Sequence, residues 1–113
     1  GTSASAAEAI AYGAGVDLNV AGADTVLVIA KGAATAAVSD LLTVADINTA
    51  IGTITNEAVG DERILIVNAT GVAKAAVYSY TSVTADDAIA ANELQLLGIV
   101  DDSDIVAGDI VFV

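Results

Sequence analysis

The sequence has no histidine and no cysteine. Their absence excludes the Ser–His–Asp and Cys–His arrangements of nucleophilic catalysis, any disulfide framework, and the Cys/His zinc sites. There is no proline, so the turns must rest on Gly, Asn and Asp. There is no methionine, even at position 1, from which the chain is expected to start after a cut or to be a piece of a longer protein. Aromatic residues make up 4%: Tyr12, Tyr78, Tyr80 and Phe112, with no tryptophan. The 56% apolar content is therefore mostly Ala, Val, Ile and Leu, a composition suited to closely packed sheets rather than to a large pocket.

Positive charge is equally scarce. Lys31, Arg63 and Lys74 stand against fifteen acids, for a net charge of −12. Such a chain repels phosphate backbones, which argues against a nucleic-acid partner, and it is repelled by anionic lipid. No apolar run reaches membrane-spanning length, so no membrane insertion is expected. Residues 1–13 lack the basic start and apolar stretch of a secretory signal peptide. No Walker-type phosphate loop occurs. Asp24-Thr25-Val26 shares two positions with the Asp-Thr-Gly of aspartic proteases, but the glycine is missing and there is no second copy, so it reads as a turn. We expect no enzymatic activity.

What remains is a pattern of short apolar segments. At 113 residues the chain has the size of one domain. Residues 1–15, rich in Ala, Ser and Gly, read as an N-terminal arm whose form is left open among a loose segment, an edge strand and a weak helix. As an arm, it is expected to anchor on the domain body or on a neighbouring copy. Residues 16–113 read as a single β-rich domain. Val16, Leu18 and Val20 alternate with polar residues, and Thr25 to Ala30 is apolar on both faces, so 16–31 reads as a hairpin. Thr43 is a candidate N-cap for a helix over 43–51, with Val44, Ile47 and Ile51 on one stripe and Gly52 as its stop. Residues 53–55 read as a brief strand. Glu62 to Asn68 and Val72 to Thr81 read as a second hairpin. Asn92 to Leu97 reads as a short helix ended by Gly98, and Ile110 to Val113 as a closing strand. The expected fold is mainly β, a small β-sandwich with two or three short helices.

Two motifs bear on binding. Asn68-Ala69-Thr70 is a formal glycosylation sequon, read here as an ordinary hairpin turn. Ser82 to Glu93 follows EF-hand spacing. With Glu93 at position 12, Ser82, Thr84 and Asp86 fall at positions 1, 3 and 5, and Ile89 at position 8. Two carboxylates of that motif are replaced by hydroxyls, and the glycine of position 6 is Asp87. Calcium is the cofactor this spacing suggests, with Asp86 and Glu93 as leading ligands and Ser82 and Thr84 beside them; a structural turn competes with it. Asp101, Asp102, Asp104 and Asp109 follow, with no base anywhere after Lys74.

The C-terminal half resembles the C-terminal regions of large bacterial proteins exported by type I secretion, including repeats-in-toxin proteins and some surface-layer proteins. The resemblance rests on Val77-Tyr78-Ser79-Tyr80, on Asn92-Glu93-Leu94-Gln95-Leu96-Leu97-Gly98, and on Ala107-Gly108-Asp109 followed by Ile110-Val111-Phe112-Val113. It covers about residues 72–113, with a weaker likeness over 16–31. It implies an uncleaved export signal, an extracellular, cell-surface address and a calcium-rich setting. The glycine-rich nonapeptide repeats of that group are absent, so its calcium-filled β-roll is not implied. We expect a secreted structural protein that self-assembles with other copies of itself into a surface layer or fibre. The alternative is a secretion-targeting or adhesion module of a larger exported protein.

Overall fold

The run Thr25–Ile29 (TVLVI) is β-branched or leucine at every position and apolar on both sides of a pleat, the composition of a strand buried on two faces. In the computed structural model, which describes residues 6–18, 25–30, 43–69, 74–84, 88–101 and 105–110, it is an interior strand of the main sheet. In chain order the strands are β1 (Ala6–Ile10), β2 (Val16–Asp17), β3 (Thr25–Ile29), β4 (Ile54–Thr55), β5 (Glu62–Asn68), β6 (Ala75–Thr81) and β7 (Leu94–Val100). One α-helix, α1 (Val44–Ile51), is described, with 3₁₀ turns at Ala91–Glu93 and Ala107–Asp109.

Five strands form one sheet in the order β1-β3-β5-β6-β7. β1, β3 and β5 run parallel; β5, β6 and β7 form an antiparallel meander. β2 and β4 pair separately, in parallel. The mainly β expectation holds. Beyond this short pair, the described residues do not form the second sheet of a sandwich. α1 and the β2–β4 pair cover one face of the main sheet, packing Ile47, Ile51 and Ile54 with Leu27, Leu65 and Tyr80. Val26, Val28, Ile66 and Ala75 point to the other face, against Ile105 and Ile110.

The helix begins where the sequence places it. Thr43 Oγ1 accepts from the Asp46 backbone N–H at 3.2 Å, satisfying one of the free donors of the first turn. Gly52, at φ 87°, ends it by donating to the Asn48 carbonyl. A Cβ there would also lie 2.7 Å from the Gly13 carbonyl oxygen, so the position admits only glycine. The brief strand over 53–55 and the hairpin of β5 and β6 are present, with Glu62 opposite Thr81 and Asn68 opposite Ala75.

Three expectations need correction. The hairpin over 16–31 does not form: β2 pairs with β4, and both neighbours of β3 are parallel to it. Alternation marks a half-buried strand but does not choose its partner. Of the forms left open for residues 1–15, residues 6–10 take the edge strand, paired within the chain's own sheet to β3 from Ala6–Thr25 to Ile10–Ile29. The helix over 92–97 is a 3₁₀ turn that gives way to β7 at Leu94. Leu94 and Leu97 have helical spacing, but Leu94 and Leu96 also alternate, and they meet Tyr80 and Tyr78 across the β6 ladder. Gly98 lies within the strand, opposite Val77, and is not a helix stop. Of the closing strand, Ile110 packs against the second face without strand geometry, and 111–113 lie outside the described residues.

Candidate functional site

Of the residues singled out for calcium, Glu93 and the backbone of Thr84 come together. Glu93 closes the 3₁₀ turn after the loop that leaves β6, and it is 3% exposed. Its Oε2 accepts the backbone N–H groups of Val83 at 2.8 Å and Thr84 at 3.2 Å, and its Oε1 accepts that of Ala90 at 2.8 Å. Burial pushes this carboxyl's pKa up, and the three backbone donors pull it down further, leaving it below the ordinary glutamate value. Ser82 is buried, and its hydroxyl donates to Glu57 Oε2 at 2.9 Å. Thr84 is exposed and joins the loop closure through its backbone N–H. Asp86 lies outside the described residues. EF-hand spacing thus brings Glu93 to the backbone of Thr84, with the carboxylate turned toward backbone donors and the Ser82 hydroxyl turned to Glu57. Among the described residues, no three acidic side chains gather as a metal cage.

Glu57 Oε2 also accepts from the Tyr80 hydroxyl. Burial, and then that hydrogen bond, raises the Tyr80 pKa. Tyr78, two residues earlier on the same face, is pushed up to about 12 by burial. Its hydroxyl finds no hydrogen-bond partner among the described residues.

Two asparagines act as clamps that sequence reasoning did not single out. Asn48, on α1, donates from Nδ2 to the Ile89 carbonyl and accepts the Ile89 N–H at Oδ1, both at 2.8 Å. Asn68, at the end of β5, donates to the Ile105 carbonyl and accepts the Ile105 N–H, again both at 2.8 Å, and it also donates to the Ile29 carbonyl at 3.0 Å. In each case a primary amide stands in for a strand neighbour, pairing both backbone groups of one isoleucine whose side chain is buried. The signal available in the sequence, for Asn68 alone, was an asparagine at the end of a strand. As a sequon, Asn68 is closed: it is 2% exposed and its amide is fully engaged.

The surface feature that stands apart is β7. Among the described residues it is the outer strand of the sheet. Leu96 is 42% exposed, Leu97 53%, Ile99 40% and Val100 40%. Opposite Val77 and Tyr78 the pairing skips Leu97, a bulge that leaves this leucine without a β6 partner. Leu96 and Ile99 face the helix side of the sheet, beside Tyr78 and Ala76, and Val100 faces the other side, beside Ala75. Gln95 is the polar side chain of this strand, which carries no charged residue in a chain of net charge −12.

Compared with family models, curated proteins and solved structures, the chain matches none. Function must therefore be argued from the surface itself. An outer strand offers a row of backbone donors and acceptors with side chains above and below, which is the geometry of strand addition.

Proposed function

We propose that this chain is a secreted structural protein that self-assembles through the edge of its sheet into an extracellular surface layer or fibre. The observation that carries the reading is β7, a seven-residue outer strand with exposed Leu96, Leu97, Ile99 and Val100 and no charge. Soluble proteins blunt sheet edges with lysine, proline or short strands, and β7 has none of these devices except its bulge. The acidic, cysteine-free composition and the likeness to type I-exported surface proteins support the extracellular address. Sedimentation velocity and electron microscopy across a concentration series test the reading. The native chain is expected to form ordered oligomers, and Leu97→Lys with Val100→Lys is expected to keep the chain monomeric and folded. Native protein that stays monomeric at millimolar concentration would instead favour a targeting or adhesion module of a larger protein.

Calcium enters as an aid to assembly. Seven acids follow Lys74 with no base among them, and a divalent ion shared between copies would relieve their repulsion. Asp86 is the candidate ligand of the EF-hand-like loop, which Glu93 closes on the backbones of Val83, Thr84 and Ala90. Calcium is expected to raise the melting temperature of assembled protein more than that of monomer. Identical melting and assembly in calcium and in chelator would leave these acids as solvating charge.

A further inference from the structure

The assembly reading leaves open which edge meets which. A head-to-tail contact would lay β7 of one copy beside β1 of the next and propagate without limit. A contact of β7 with the same strand of a second copy would be two-fold and closed. We propose the second: β7 pairs antiparallel with β7 of another copy, about an axis through the middle of the strand, making one ten-stranded sheet. This rests on the assembly reading and specifies its first step.

Charge decides between the two. Each copy carries −12, so two copies approach at least cost where each is neutral. The strand Leu94–Val100 has no charged side chain, and the acids at its ends are already engaged at home. Glu93 is turned inward onto three backbone N–H groups, and Asp101 is ion-paired with Lys74 of the same copy. A two-fold pairing centred on Leu97 sets Asp101 of one copy near Glu93 of the other, and each of the two is satisfied within its own copy. β1 is the poorer partner. It carries Glu8 midway along, and Ala7 and Ala9 offer little apolar area. Pairing β7 with β1 would set that carboxylate beside leucine, in a parallel ladder of somewhat weaker bonding.

The bulge fits the same arrangement. A bulge on an outer strand ordinarily discourages pairing. Placed at the midpoint, it falls on the axis, leaving residues 94–96 of one copy opposite 98–100 of the other. The exposed leucine at the bulge then meets its own counterpart.

The chain has no cysteine, so single cysteines report contacts cleanly. Leu97 and Ala9 are both exposed and tolerate replacement. Leu97→Cys protein, oxidised mildly at a concentration where the native chain associates, is expected to become covalent dimer in most chains. Isotope-tagged Leu97→Cys mixed with Ala9→Cys is expected to give no mixed dimer. Spin labels on Ala9→Cys in the dimer should lie roughly 43 Å apart, nine strand spacings of about 4.8 Å. Mixed Ala9–Leu97 cross-links without Leu97–Leu97 ones would overturn the two-fold pairing and leave self-assembly standing. So would Leu97→Lys chains that associate as the native chain does. A native chain that never associates, with no cross-link at either position, would sink both.

Discussion

Tyr78 and Tyr80 sit two residues apart on one face of β6, and their hydroxyls have opposite fortunes. The Tyr80 hydroxyl meets Glu57; the Tyr78 hydroxyl is buried with no partner among the described residues. Removing a buried polar group that has no partner restores what its desolvation cost, whereas removing one that is bonded to a carboxylate loses that bond. Tyr78→Phe is therefore expected to leave stability unchanged or raise it by up to about 1 kcal/mol, and Tyr80→Phe to lower it by about 1–3 kcal/mol. Urea denaturation of both variants checks the contrast, and equal losses would refute it. Glu93 yields a pH dependence. Its folded-state pKa lies below the ordinary value, so its contribution is fully present above the unfolded pKa and is lost as pH falls through the folded one. Native protein is expected to lose stability below about pH 4.3. Glu93→Gln should be less stable at neutral pH and show a flatter acid limb in pH-resolved melts. Matching acid limbs would show that the loop does not depend on this carboxylate.

At the scale of elements, what could be read in advance was whatever local chemistry decides. Thr43 and Gly52 fixed the ends of α1, and the β-branched run of β5 fixed a strand to the residue. The failures share a cause. Nothing in Val16–Asp17 says that its partner is Ile54–Thr55, thirty-eight positions away (54 − 16), rather than the strand that follows it. Nothing in Leu94–Val100 distinguishes a helix from a strand until the free edge of β6 is on offer. The candidate calcium loop was legible as spacing because Glu93 must reach back ten and nine residues, to Val83 and Thr84. Its hydrogen-bonding role was not, because an EF-hand glutamate and a loop-closing glutamate share that spacing. The asparagine clamps escaped notice for a related reason: each joins elements about forty residues apart. Asn68→Ala is expected to cost about 1–3 kcal/mol, since it strands both backbone groups of Ile105. Amide exchange at Ile105 should accelerate before that of β5 and β6. Uniform acceleration would mean that the clamp is not a separate unit.

For the molecule as a whole, the order of strands in the sheet sets an order of events. The antiparallel meander β5-β6-β7 is built from neighbours in sequence, whereas Val26 must find Ile64 before β3 is held on both sides. Contacts that close small loops form sooner than those that close large ones. The meander of residues 62–100 is therefore expected to nucleate folding, with β1 and β3 joining later. A chain truncated after Thr81, lacking β7, should show little amide protection, and a stably folded truncation would contradict this. Ribosomes deliver the N-terminus first, so the part made early waits for the part made last. During synthesis the early strands would thus remain an open thread until residues 62–100 emerge, a state in which they could pass through a narrow channel and fold only on the far side.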